Sequence, residues 1–244
     1  MLDQDAVSHE GTISLLDATQ PPGRRPGWHH RGVDDLWPLF QLCIKTPRLE
    51  LRLPVEQEIA ALARVAAQGV HEPSARPFLT PWTEGTAEQR SQAVLRGHRG
   101  ALSAWSVDQW SLGLGVFLEG EPIGSIDIRA IDFLVVREVA TSSWLGLTHH
   151  GSGLGTEARL GALTLAFDFL EAEAALSEVF QDNIASQGVS LKLGYEHDGI
   201  SRDRRGSEAL VSDRLRLTKQ RWKSQRRSTV VITGFDACKQ QFAV

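Results

Sequence analysis

Cysteine is scarce in this chain of 244 residues: Cys43 and Cys238 lie far apart and form no C-x-x-C pair. That spacing offers neither a zinc knuckle nor a disulfide framework, and it suits a reducing cytoplasm. Long apolar runs are missing as well. Nothing approaches the about 20 residues that span a bilayer. The stretch Met1-Leu2-Asp3-Gln4-Asp5 also lacks the basic and apolar regions of a secretory signal. A soluble, cytoplasmic protein without membrane contact is expected. Positive charge is not in excess: 30 acidic residues against 26 basic ones give a formal net charge of -4. Nucleic acid is therefore not an expected partner. The histidine pairs His29-His30 and His149-His150 are adjacent in sequence. Neighbouring residues point in different directions on a helix or strand, so no metal site is expected from them.

What is there fits one substantial core with appendages, at 41% hydrophobic and 23% charged residues. Residues 1–33 contain Pro21-Pro22-Gly23-Arg24-Arg25-Pro26-Gly27 and no sustained apolar period, so they read as a flexible arm. Residues 34–219 read as the folded domain, and 220–244 as a basic linker with a strand-like extension at Thr229 to Phe235. The basic residues between Arg202 and Arg227 read as a solvated face. Within the domain, Leu42 to Leu53 alternates like a half-buried strand interrupted at Pro47. Helical spacing appears over 55–70 and 86–105. Strand-type runs follow at 110–118, 122–131 and 139–147, then a helix over 156–171, a strand at 176–180, a helix over 184–193 and closing strands near 195–200 and 208–217. The expectation is a mixed α/β (α+β) fold: a mostly antiparallel central sheet of about seven strands, flanked by helices.

The most informative stretch runs from Ser143-Trp144-Leu145-Gly146-Leu147 through His149-His150-Gly151-Ser152-Gly153-Leu154-Gly155 into Thr156-Glu157-Ala158-Arg159. It reads as a strand, a glycine-rich turn and a helix start. Glycines let backbone N–H groups crowd together at a helix N-terminus, where the helix dipole adds positive potential, so a pyrophosphate is a natural guest. A tight strand-to-helix connection punctuated by glycine is the alternative. Two better-known phosphate loops do not fit. No lysine follows Gly155, as a P-loop needs, and Gly151-x-Gly153-x-Gly155 is not G-x-G-x-x-G.

Downstream lies Phe180-Gln181-Asp182-Asn183-Ile184-Ala185-Ser186, leading to Leu193-Gly194-Tyr195. Together the two segments resemble the GCN5-related N-acetyltransferases. Within them they resemble the branch of ribosomal-protein N-terminal acetyltransferases and its actinobacterial relatives, some of which use succinyl-CoA. The family's pyrophosphate loop, Gln/Arg-x-x-Gly-x-Gly/Ala, falls on His150, Gly153 and Gly155. The branch's Asn-x-x-Ser followed by Gly-Phe/Tyr falls on Asn183, Ser186, Gly194 and Tyr195. The resemblance covers roughly 42–218. It implies that acetyl-CoA or succinyl-CoA is the acyl donor, held by Leu145, Leu147, His150, Gly151, Ser152, Gly153, Leu154, Gly155 and Thr156, with Asn183 and Ser186 along the pantetheine arm. It also implies that Phe78 and Trp82, in the proline-aromatic loop from His71 to Trp82, face the acceptor. Capping of the core is their other reading. Three departures stand out: His150 replaces the usual Gln or Arg, the family tyrosine that protonates the leaving thiolate falls on Ser190, and a common strand glutamate falls on Ala140.

Such an enzyme transfers an acyl group to a protein N-terminus, a lysine or a small amine by direct attack of the neutral amine. An α-amino group is about one-tenth neutral at pH 7, whereas a lysine is neutral in only about one molecule in a few thousand. Ser186 is the candidate acid, with helix capping as its other role. Asp132 and Glu138, and with them Asp127, are candidate bases. Glu157 reads as favourable charge in a first helical turn. A succinyl tail would ask for a cation, and Arg76, Arg129 and Arg137 are candidates. A catalytically weak CoA-binding sensor or scaffold with the same fold is the competing expectation, and a homo-oligomer is open in either case.

Overall fold

One nine-stranded sheet organises the computed structural model, which describes residues 36–205, 207–225, 228–242 and 244; the proposed arm 1–33 lies outside them. Its strands are β1 (Cys43–Lys45), β2 (Leu49–Arg52), β3 (Gln109–Leu118), β4 (Glu121–Ile131), β5 (Glu138–Leu145), β6 (Ala174–Phe180), β7 (Glu196–Arg205), β8 (Glu208–Thr218) and β9 (Val231–Thr233). They lie in the order β7-β8-β6-β5-β4-β3-β2-β1-β9. Every neighbouring pair is antiparallel except β5 with β6. Four longer helices cover the sheet: α1 (Glu56–Gln68), α2 (Ala87–Ser103), α3 (Leu154–Thr164) and α4 (Ile184–Lys192).

The expected mixed, mostly antiparallel sheet is present, with nine strands instead of about seven. The segment 42–53 is a hairpin turning at residues 46–48, not one interrupted strand, because Thr46 N–H and Leu49 O close a turn at 2.9 Å around Pro47. The ninth strand comes from the C-terminal extension, where Ile232 pairs with Ile44. Phe242 and Cys238 are fully buried, and the Phe242 ring meets Trp110 at 5.0 Å and Trp105 at 5.4 Å. Burial of one such ring is worth about 1.5–3 kcal/mol, so the extension is part of the core.

Local signals account for the element ends. Thr86 and Gln89 form a reciprocal capping box that starts α2. Arg90 reaches back to the carbonyls of Ala66 and Ala67 at the end of α1, a favourable place for a cation. The β3–β4 hairpin turns through Glu119 and Gly120, both at positive φ. Helix α3 continues through a π-helical turn at Leu165–Phe169. Along β5, Thr141 and Ser143 face α3 and α4, whereas Trp144 packs on the α1/α2 side, as the two-residue side-chain period requires.

Candidate functional site

The site begins where the sheet comes apart. Strands β5 and β6 pair only through Glu138–Ala140 against Ala174–Leu176. Strand β5 nevertheless stays bonded to β4 up to Leu145, and β6 to β8 up to Phe180. Past Ala140 each strand therefore has one edge that faces no strand. Backbone donors and acceptors left this way need partners, and an extended ligand can supply them in the manner of an added strand.

The glycine-rich loop stands at the wide end of this split. Gly151 and Gly153 sit at φ +76° and +81°, angles that side-chain-bearing residues rarely adopt. Among the described residues, none of the amides of Gly151 to Thr156 donates to a protein acceptor. The first that does is Glu157, to Gly153 O at 3.1 Å. A Cβ on Gly151 would meet nothing within 4 Å. Neighbouring contacts brace the loop: Leu147 N–H donates to Gly69 O at 3.0 Å, His150 Nε2 bonds Leu145 O at 3.0 Å, and Ser152 Oγ donates to His149 O. Leu145 and Leu154 are buried beneath it.

Arg48, in the β1–β2 turn, adds a cation that the sequence reading overlooked. Its Nη1 donates to Ser152 O at 3.0 Å and its Nε to Glu157 at 2.6 Å. Glu157 also accepts from Thr46 Oγ1 and Arg48 N–H. These partners outweigh its partial burial and hold its carboxyl below the usual range. Its role is thus larger than dipole compensation: it fixes Arg48 beside the loop.

On the α3/α4 face of the split lies Arg159, which is 4% exposed and the one charged side chain among the buried described residues. Its Nη1 donates to Ser190 Oγ at 2.9 Å and its Nη2 to Ser143 Oγ at 3.3 Å, while its Nε has no partner. Tyr195 Oη stands 3.4 Å from Thr141 Oγ1 in the same cluster. Burial lowers the Arg159 pKa, partly offset by Tyr195, and burial raises that of the Tyr195 phenol. Asn183 caps α4 by accepting from Ser186 N–H at 3.1 Å, so its side chain is committed locally. Ser186 is half-buried in the first turn of that helix.

The opposite face carries a carboxyl. Asp127 lies between Gly113 and Ser142 across the strands. A Cβ on Gly113 would stand 3.0 Å from Asp127 Oδ1 and 3.5 Å from His98 Nδ1, so the two side chains converge where glycine leaves room. Desolvation pushes the Asp127 carboxyl up to about 6, opposed by Arg129, and pushes the His98 imidazole down. An aromatic wall adjoins them: Phe78 to Trp82 at 5.4 Å and Trp82 to Trp144 at 5.6 Å. A cavity of about 350 Å³ opens on this side, lined by Ser111, Arg129, Glu138, Ala140 and Leu176 among others.

Two of the proposed bases are placed less well. Asp132 is exposed at φ +50°, beyond the end of β4 farthest from the glycine loop. Glu138 lines the cavity but accepts from Arg216 Nη1 at 2.7 Å, an ion pair that ties up the carboxylate. Of the candidate arginines, Arg129 lines the cavity, Arg137 lies over the Phe133 ring, and Arg76 is exposed. Arg48, His98 and Arg159 were missed as site residues, and Ser142 and Trp144 were read only as part of a strand whose backbone N–H could hold an oxyanion. A signal existed only for Arg159, a charge between Ala158 and Leu160 inside an apolar helix.

A split parallel pair with unpaired amides at a helix N-terminus invites comparison with known proteins. Residues 48–196 match the model of the acetyltransferase (GNAT) domain. The chain belongs to the GNAT acetyltransferase family. Its fold is shared with Mycobacterium smegmatis RimJ in complex with a CoA disulfide: TM-score 0.63, 17% identity, 78% of this chain and 91% of that one. RimL, a ribosomal L7/L12 alpha-N-protein acetyltransferase solved with coenzyme A, aligns at TM-score 0.53 and 16% identity over 71% of this chain and 95% of its own. The microcin C7 self-immunity acetyltransferase MccE, solved with acetyl-CoA and AMP, gives 0.56 and 13% over 70% and 93%. As in other GNAT chains, an acyl-CoA is the expected donor, and the loop here fits its pyrophosphate: open amides, no side chain in the cradle and Arg48 alongside.

Proposed function

We propose that this protein is an acyl-CoA-dependent N-acyltransferase that moves an acetyl group onto a primary amine, and that it acts best on an α-amino group. The observation that carries the reading is the row of unpartnered amides at Gly151 to Thr156 beside a strand pair that parts after Ala140. When bound, acyl-CoA supplies an activated thioester. The loop amides and Arg48 hold its diphosphate, and the free edge of Thr141–Leu145 aligns its arm. A backbone N–H of that edge offers the donor that an oxyanion needs.

Asp127, rather than Asp132 or Glu138, takes the amine proton, directly or through water, with neutral His98 beside it. A base near 6 faces an α-ammonium at about 7.7 to 8.0 across a gap of about two units, roughly 3 kcal/mol. Against a lysine at about 10.4 the gap is more than four units, roughly 6 kcal/mol. The Phe78–Trp82–Trp144 wall and the adjoining cavity receive the residue that bears the amine. A ribosomal-protein N-terminus, as the name of the RimL structure specifies for L7/L12, is an acceptor of this class. Succinyl transfer would call on Arg129 in the cavity, and parallel assays with succinyl-CoA decide it.

The first test is thermal stability with CoA, acetyl-CoA and succinyl-CoA. A ligand at one hundred times its Kd adds about 2.7 kcal/mol to the native state, so a clear rise in Tm is expected. No rise with any of the three ends the reading. Thiol release from acetyl-CoA with peptides bearing free N-termini then separates an enzyme from a CoA sensor: the enzyme accelerates release over the peptide-free rate, and the sensor does not.

A further inference from the structure

A fully buried guanidinium with only hydroxyl partners is an expensive thing for a fold to keep. Arg159 makes two bonds, to Ser143 and Ser190, and no carboxylate among the described residues pairs with it. The nearest acid on its own helix, Glu157, is turned to Arg48 and Thr46. From β5 the cluster receives Thr141 and Ser143, from α4 Ser190, and beyond α4 Tyr195, whose phenol burial keeps neutral. Arginine does not give up its proton in proteins, so a full positive charge stands there with its Nε unpartnered. The missing element is an anion.

Position says which anion. Ser143 lies on the stretch of β5 beyond the last residue paired with β6, so Arg159 reaches the edge of the split. It does so from the face that carries α3 and the glycine loop, opposite the face that carries Asp127 and the aromatic wall. A coenzyme arm laid along this edge from the loop would bring its sulfur end toward this cluster, with the amine on the opposite face. We propose that Arg159, with Ser143 and Ser190, forms a site for negative charge on the sulfur of coenzyme A. This rests on the reading of the loop as the coenzyme site.

In the transfer the amine nitrogen forms a bond to the thioester carbon, the carbon–sulfur bond breaks, and its electron pair stays on sulfur. The nitrogen loses one proton to Asp127 or water, and the sulfur keeps the electron pair as thiolate beside Arg159 until it exchanges a proton with solvent, so charge and atoms balance. Arg159 lowers the cost of the pair on sulfur. Because its Nη1 donates to Ser190 Oγ, the Ser190 hydroxyl proton is directed elsewhere and made more acidic.

The test is a titration of the protein–CoA complex, following the ultraviolet absorbance of the thiolate. An alkyl thiol of the cysteine kind titrates at about 8.5. The bound thiol is expected at least about one unit lower than free CoA, a tenfold shift toward thiolate. Arg159→Met should return it to the free value, and Arg159→Lys should keep part of the shift. At pH 8 the wild type should bind CoA several-fold more tightly than desulfo-CoA, and Arg159→Met should erase that preference while leaving desulfo-CoA affinity unchanged. Without ligand, the Met variant should melt no lower than the wild type, since it removes a buried unpaired charge. An unshifted thiol in the wild type overturns the proposal without any variant, as does a variant that weakens CoA and desulfo-CoA equally. A wild type that binds neither compound overturns the coenzyme reading itself.

Discussion

The two faces of the split hold groups of opposite sign under the same stress. On one, Arg159 is buried among hydroxyls; on the other, Asp127 is held near 6 by desolvation beside a neutral His98. Each would be more comfortable in water. Strand β5 runs between them, and the two-residue alternation of its side chains puts Ser143 with one group and Ser142 with the other. On the proposed reading the difference is a division of labour: one face takes a proton from an amine, the other receives charge and a coenzyme. Stability is given up at both, as is usual where function needs an unrelaxed group.

The sharpest way to break this comparison is Asp127→Asn. General-base assistance is typically worth about 10²–10⁴ in rate, and a loss of that size is expected in kcat/KM. In the wild type kcat/KM should rise with pH through about 6, as Asp127 ionises, and the Asn variant should lack that limb. A pH profile measured on both proteins checks it, and an unchanged limb removes Asp127 from the role. Next in size is Gly153→Val. A branched side chain at φ +81° opposes the backbone and intrudes on the amides, so CoA affinity should fall by about 100-fold or more by calorimetry, with the far-ultraviolet spectrum preserved. Normal affinity in a folded variant would make the loop a mere connection.

Smaller is the effect of Trp82→Ala, which strips the aromatic wall from one face only. The acceptor KM should rise by about tenfold, as expected for loss of about 1.4 kcal/mol, with CoA affinity unchanged; an equal loss for both ligands would blur the two faces into one. The smallest effect concerns stability. The Asp127 pKa is raised above its unfolded value, so its favourable contribution is complete below about 4 and is lost as pH rises through about 6. At pH 8 Asp127→Asn should therefore be more stable than the wild type, by up to about 3 kcal/mol and less where water reaches the carboxyl. Melting at pH 4 and pH 8 checks the sign: the gain should vanish at the lower pH.

The glycine loop was far more legible than the face that carries Asp127. Gly151, Gly153 and the start of α3 are local features, since positive φ and a helix N-terminus need only neighbouring residues. The hairpin at Glu119-Gly120 and the alternating strands were readable for the same reason. Asp132 and Glu138 show where that kind of reading stops. A carboxylate in a strand carries no mark of whether it pairs with Arg216 from β8, as Glu138 does, or is desolvated opposite Gly113, as Asp127 is. The proline break at Pro47 was visible, yet whether it interrupts a strand or turns a hairpin depends on the partner strand.

The sequence alone determined the family, the mixed sheet and the glycine cradle, because motif, periodicity and turn chemistry act over a few residues at a time. Tertiary structure decided what stands on each side of the open edge. Only when β5 parts from β6 do Arg159, Ser143 and Ser190 meet on one face, and Asp127, His98 and Trp144 on the other. Burial, which sets the charge state of each group, is a property of that assembly and of no single stretch of chain.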